Sequence, residues 1–425
     1  MNPITSLSKY SYKVLQAINF VRLAGSEGEQ KAREIILSEL KKLGVTPRLH
    51  KFQLWTFTLG DGLIIDSKER KFKGIPFGNT QPFDINGELL YLDSPQDIEF
   101  QQAKARNKIV LVYGGVRGKI YKNFLEAGVK GIIRVSPPGK GITFSSINQV
   151  FVEENKIIPS ISCSYDTGME LLVNTGKAVK IKGTTKTYKS EAYNIIAEIK
   201  GTEFKDEIIA IVAHYDSVGI SPGASDNGGG SVTLLALLRH FIKKPPLRTL
   251  RFIWFSGEEL GLVGSQAYVK TLKKNDLRKI LFVINVDVSG DILGMNRAIC
   301  LSDQDSKQYL DFFNKETGSN FKIDVNIYSS DCMPFALKGI PSINLSRSGG
   351  KASFFIHTHN DTIKFVSPSG LHPVIDYSLN LVTRLANAKK FPLRRKISPE
   401  LKNKIIEYFE NMQAKKVKLE WENKD

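Results

Sequence analysis

Apolar positions along the chain fall into two textures. From Ala192 onward, short solid apolar runs alternate with stretches at helical spacing. The run at 208–213 (IIAIVA) is β-branched, too short for a helix, and reads as a strand buried on both faces. Strands are predicted at 193–199, 207–213, 249–255, 281–286 and 342–345, and helices at 229–241, 261–272, 306–317 and 373–388. That alternation predicts an α/β domain of three layers, α/β/α, around a mixed, mostly parallel sheet.

The flanking segments extend the picture. Tyr10, Val14, Leu15, Ile18 and Val21 predict a helix over 9–21, with the residues before it read as a tail. Ser26 and Glu29 form a capping-box pattern before a second helix, whose apolar face is Ala32, Ile35, Ile36, Leu40 and Leu43 and which ends at Gly44. A strand is predicted at 45–58. From 60 to 189 the texture changes to short apolar runs (87–92, 108–113, 131–135, 157–161) parted by Gly, Pro and Asn, with one helix at 121–127. This reads as a β-rich insert. Beyond Pro392 a basic stretch leads to a last helix, capped by Ser398 with Pro399 in its first turn. Its face of Leu401, Ile405, Ile406, Phe409 and Met412 docks on its own domain or forms a homodimer contact. The predicted division is 1–59 and 190–392 as one domain, 60–189 as its insert, and 393–425 as a basic helical extension.

Composition changes this little. At 425 residues, 41% hydrophobic and 24% charged, the chain is ordinarily globular. The net charge of +17 is spread widely, without an RNA-binding signature or a basic arm with interleaved aromatics, so solvated surface is favoured over nucleic-acid binding. Cys163, Cys300 and Cys332 lie far apart and predict no disulfide framework. No apolar run is long enough to span a bilayer and no signal-peptide pattern is visible, so the expectation is a cytoplasmic protein, extracellular if a leader has been trimmed.

Candidate chemistry sits where predicted strands end. The strand at 207–213 runs into His214, Tyr215 and Asp216, and a Gly- and Ser-rich loop then delivers Asp226 and Asn227. The next strand runs into Glu258-Glu259, and another ends in Asp287. His357 and His359 follow in HTHNDT at 357–362. Each feature alone has a plain reading: a satisfied polar histidine, a turn aspartate, acids suited to a helix start. Together, imidazoles and carboxylates at successive strand ends call for a cation, and open α/β sheets carry their chemistry at that edge. Mixed His and carboxylate donors suit zinc, and also cobalt or manganese.

These residues resemble the M28 metallopeptidases, the co-catalytic zinc aminopeptidases. The matching motifs are AHYDS (213–217), GASDNGGG (223–230), EELGLVGS (258–265), NVD (285–287) and HTHNDT (357–362). The insert is similar to a protease-associated domain. The resemblance implies a zinc-exopeptidase fold and an aminopeptidase acting on short peptides with two zinc ions. It implies His214 and Asp287 on one ion, Glu259 and His357 on the other, and Asp226 bridging. Glu258 would be the general base, Asp216 would orient His214, and a cis peptide would follow Asp226. Position in the motif favours His357 over His359. Relatives often carry Tyr before that histidine, where this chain has Ile356, so Tyr328 is the candidate oxyanion stabiliser. They also commonly read SDH where this chain has Ser330-Asp331-Cys332. The alternatives are a glutaminyl cyclase, a carboxypeptidase with Arg347 as the carboxylate-binding candidate, and a catalytically silent receptor or scaffold.

Overall fold

The computed structural model describes residues 3–419. The chain opens with α1 (Pro3–Ala17), α2 (Glu27–Lys42) and β1 (Arg48–Thr58). The insert follows with β2 (Gly62–Ile65), β3 (Lys71–Pro76), β4 (Phe83–Leu92), α3 (Ile98–Ala105), β5 (Ile109–Tyr113), α4 (Gly118–Glu126), β6 (Gly131–Val135), α5 (Gln149–Glu153), β7 (Ser160–Cys163), α6 (Tyr165–Leu172) and β8 (Ala178–Gly183). The main sheet resumes with β9 (Lys186–Ile199), β10 (Phe204–His214), α7 (Gly229–Phe241), β11 (Arg248–Phe255), α8 (Val263–Thr271), α9 (Lys274–Lys279) and β12 (Ile280–Val286). It is completed by β13 (Met295–Leu301), α10 (Gln304–Thr317), β14 (Phe321–Val325), α11 (Met333–Ala336), β15 (Ser342–Ser348), α12 (Lys351–Phe354), α13 (Pro368–Asn387) and α14 (Pro399–Gln413).

Two compact units result. Gln53–Ser190 and Tyr408–Val417 form one, and the other described residues form the second. The insert expected at 60–189 therefore begins earlier, and the segment expected as a separate extension from 393 onward is divided between the units within α14.

The larger unit holds an eight-stranded sheet in the order β1-β9-β11-β10-β12-β15-β13-β14. The four central strands, β11-β10-β12-β15, are parallel to one another, while β9 and β13 run against their neighbours β11 and β15. Strand β10 shows why its apolar run is unbroken. Ile209, Ile211 and Ala213 enter the core beneath α1, α7 and α13, whereas Ile208, Ala210 and Val212 enter a second core with α8 and Phe335 of α11. Both faces are covered, so alternate positions must both be apolar.

The smaller unit is a closed barrel in the order β2-β3-β7-β6-β5-β4-β8. Strands β4, β5, β6 and β7 pair in parallel, and the other pairs are antiparallel. Ile109, Leu111, Ile133 and Ile181 fill one core, while Val110, Val112, Tyr121 and Phe124 pack in another with α4 and α5.

Several expectations need correction. Between 60 and 189 the chain carries four α-helices rather than one. The first helix starts at Pro3 and stops at Ala17, because the chain turns there and Arg22 Nη1 takes the carbonyl of Ile18 at 2.7 Å. Ser26 caps α2 by accepting from Glu29 N at 3.3 Å, but the reciprocal half of the capping box is missing. Instead the Glu29 carboxylate accepts from Arg33 at 3.0 Å and from the Tyr215 hydroxyl. The helix expected from Gly261 begins at Val263, since Gly261 (φ 102°) and Leu262 (φ 58°) are left-handed. Strands β13 and β14 were not expected. The three cysteines are buried and unpaired. Among the described residues, no helix is long and apolar enough to cross a membrane.

Candidate metal centre and active site

The strand order gathers the polar strand ends. His214 closes β10, the Glu258-Glu259 turn follows β11 on one side, and Asp287 follows β12 on the other. His357 arrives in the turn after α12 at φ 61°. Asp226 sits in the turn between β10 and α7, and its peptide bond to Asn227 is cis.

Asp226 faces both histidines, one with each oxygen. His214 Nε2 lies 3.3 Å from Asp226 Oδ1 and 3.4 Å from Asp287 Oδ1. His357 Nε2 lies 3.3 Å from Asp226 Oδ2 and 3.2 Å from Glu259 Oε2. Two three-donor clusters therefore share one carboxylate, and donor atoms of His214, Asp226 and Glu259 also approach one another within 4.8 Å. His359 is exposed and stands outside both clusters.

The electrostatics fit cations. Glu259 Oε1 is buried without a hydrogen-bond partner among the described residues, and Asp287 Oδ1 has only its long approach to His214. Burial would lower both imidazoles, yet surrounding carboxylates override it. His214 is held well above its ordinary value by Glu258, Asp216, Asp226 and Asp287, and His357 is pushed up to about 10 by Glu259 and Asp226. Burial would raise Asp226, but bonds to His214 and His357 pull it below the usual carboxylate range.

Burial raises both Glu258 and Glu259, but Glu259 also meets His357. Burial raises Glu258 well above the usual range and Glu259 and Asp287 add to that, with His214 opposing. No ion-pair contact ties it down in the described structure, which leaves its carboxyl free for proton transfer.

A surrounding layer fixes these groups. Asp216 Oδ1 lies 3.5 Å from His214 Nδ1, and the Asp216 carboxylate also accepts from Glu258 N and Glu259 N, each at 3.3 Å. Asp361 accepts from Ser225 N at 2.8 Å and from Asp226 N at 3.0 Å, so the HTHNDT segment holds the Asp226 turn as well as carrying His357. Asn227 Nδ2 donates to Val286 O at 2.8 Å, while Asn227 Oδ1 accepts from Gly230 N at 2.9 Å. A Cβ on Gly230 would stand 2.4 Å from Val286 O and 2.3 Å from Asn227 Oδ1. Gly230→Ala is accordingly expected to cost about 1–3 kcal/mol, read from the urea midpoint, because helix α7 can no longer approach β12.

Tyr328 is brought to the same place. Burial, then the charges of Asp287, Asp226 and Glu258, keep its hydroxyl well above the ordinary phenol range and therefore protonated. The Cys332 thiol donates to Tyr328 O at 3.7 Å and burial pushes it up to about 12, so it supports the tyrosine loop as a protonated thiol. Arg347, the carboxylate-binding candidate, is committed elsewhere. It donates to Asp291 O at 2.8 Å, to Asn296 Oδ1 at 2.8 Å and to Ile292 O at 3.4 Å. Sequence reasoning assigned no role to Arg22, which is wholly buried behind His214 and Asp226. A lone arginine between Phe20-Val21 and Leu23-Ala24 was the available signal.

Comparison with known proteins finds relatives of this chain. The model of peptidase family M28 matches residues 194–382. Aminopeptidase YwaD of Bacillus subtilis (strain 168) is 26% identical over 427 aligned positions, covering 95% of this chain and 90% of the relative. Carboxypeptidase Q of Mus musculus is 25% identical and covers 83% and 79%. A peptidase M28 precursor from Shewanella amazonensis SB2B shares the fold at a TM-score of 0.76, with 23% identity over 93% of this chain and 98% of that one. BSAP, a zinc aminopeptidase from Bacillus subtilis, does so at 0.74, with 24% identity over 92% and 98%. The segment 194–382 is thus the part of the chain that matches peptidase family M28.

Proposed function

We propose that this chain is a metal-dependent aminopeptidase that removes N-terminal residues from short peptides and uses two zinc ions. The observation that carries the reading is Asp226, whose two oxygens each face a different histidine. His214, Asp287 and Asp226 would hold one ion, and His357, Glu259 and Asp226 the other. Zinc bound there would polarise the scissile carbonyl and make a held water a ready nucleophile at neutral pH.

The chain's own groups complete the reaction. A Glu258 carboxylate oxygen takes the proton as the water oxygen bonds to the carbonyl carbon. When the C–N bond breaks, its electron pair stays on nitrogen, and Glu258 returns the proton to that leaving amine. The Tyr328 hydroxyl donates to the oxygen on which charge develops. Asp216 keeps His214 oriented through Nδ1.

Supporting the amino-terminal direction, Arg347 is spent on backbone and Asn296 contacts rather than on a C-terminal carboxylate. Paired donor clusters favour hydrolysis over the single-zinc cyclase reading.

A matched pair of peptides tests this, one with a free amino terminus and one acetylated, with zinc and with chelator. Chelator-sensitive cleavage of the free-amine peptide alone is expected. Cleavage of the acetylated peptide from its other end would replace the proposal with a carboxypeptidase. Free zinc at about 1,000 times its dissociation constant is expected to stabilise the chain by about 4 kcal/mol over the chelated form, seen as a shifted denaturation midpoint.

A further inference from the structure

Arg22 lies in the connection between α1 and α2, and its side chain is completely enclosed. Its guanidinium donates to backbone carbonyls. Nε bonds Tyr215 O at 2.7 Å, and Nη2 bonds Gly223 O at 3.0 Å. Nη1 reaches Ile18 O at 2.7 Å, Phe20 O at 3.1 Å and also Pro222 O. The backbone repeats the tie: Arg22 N donates to Ser217 Oγ at 2.9 Å, and Ser217 N donates to Arg22 O at 3.3 Å.

These acceptors are not scattered. Tyr215 stands between His214 and Asp216, while Pro222 and Gly223 open the turn that delivers Asp226. One planar group therefore bridges the strand end bearing His214 and the turn bearing Asp226. The fit is close: Gly223 is left-handed at φ 57°, and a Cβ there would stand 2.4 Å from Asp226 O and 3.2 Å from Arg22 Nη2. Burial lowers the guanidinium to about 10, and Asp361, Asp216, Asp226 and Glu259 act to keep it charged, so it is protonated at neutral pH. A lysine carries its three donors at one point and cannot span carbonyls on separate segments.

We propose that Arg22 is a positioning residue of the metal centre, locking His214 and Asp226 into the spacing at which both address one cation. The inference rests on the metal-centre reading above. Its role is distinct from catalysis, since its donors are spent on carbonyls and none is directed at a substrate.

The test uses full-length Arg22→Lys and Arg22→Ala, the latter with and without millimolar guanidinium ion. Zinc affinity is measured by competition with a chromogenic chelator, and the visible spectrum of the cobalt-loaded protein reports ligand geometry. Zinc affinity is expected to fall about 10–100-fold, in line with other residues that orient metal ligands, with altered cobalt bands. Guanidinium is expected to restore part of both in Arg22→Ala, and kcat should fall more than KM rises. If Arg22→Ala does not fold, Arg22→Lys carries the test. Folded variants with wild-type zinc affinity and cobalt spectrum would overturn the proposal while leaving the metal-centre reading intact. A wild-type chain that takes up neither zinc nor cobalt would overturn both.

Discussion

Glu258→Gln is expected to keep its zinc and lose about 100- to 10,000-fold in turnover. Glutamine preserves the side chain's length and shape but accepts no proton at neutral pH. The metal donors are unaffected, because Glu258 belongs to neither cluster: His214, Asp226 and Asp287 form one, and His357, Asp226 and Glu259 the other. Its backbone nitrogen still donates to Asp216, so the turn is retained. Zinc content per chain and single-turnover hydrolysis, measured on the same sample, separate binding from chemistry. Near-normal turnover at full zinc occupancy would remove Glu258 from the mechanism.

Asp226→Asn is expected to fail in the opposite order, losing metal first. Each oxygen of Asp226 now meets a different imidazole. Asparagine offers one oxygen and one NH2 donor, so it can serve a cation on one side and repels it on the other. The chain should lose at least one of its zinc equivalents and about 1,000-fold or more in turnover, since a metal contributes several kcal/mol to the transition state. Backbone bonds from Ser225 and Asp226 to Asp361 do not involve the substituted group, so the fold should survive. Elemental analysis after dialysis decides the matter, and full zinc retention would mean that Asp226 does not bridge.

The donors were legible in the sequence for a physical reason. A parallel strand buried on both faces must be apolar throughout, so its polar end stands out, and His214, Glu258, Glu259 and Asp287 all follow such runs. Choosing His357 over His359 rests on motif position; His357 faces Asp226 and Glu259, whereas His359 is exposed. What escaped notice lacked that contrast. Strands β13 and β14 lie at the sheet's margin, where polar and apolar positions mix and no solid run forms. The capping-box pattern at Ser26 and Glu29 was read locally, but a distant partner, Tyr215, competes for the carboxylate. Arg22 was passed over because an arginine is ordinarily a surface residue, and only the tertiary fold supplies the carbonyls that enclose it.

The donors also enter the chain in a fixed order, from His214 through Asp226, Glu259 and Asp287 to His357. Synthesis from the amino terminus therefore exposes carboxylates and one imidazole long before the second imidazole exists. The turn carrying His357 follows β15, which must first find its place beside β12 near the middle of the sheet. Until then Asp226 Oδ2 and Glu259 have no histidine opposite them. On the proposed reading, the donor set is completed only by the last of these turns, after all eight strands of the sheet have entered the chain. A chain that stops short of His357 lacks the imidazole that faces Asp226 Oδ2 and Glu259.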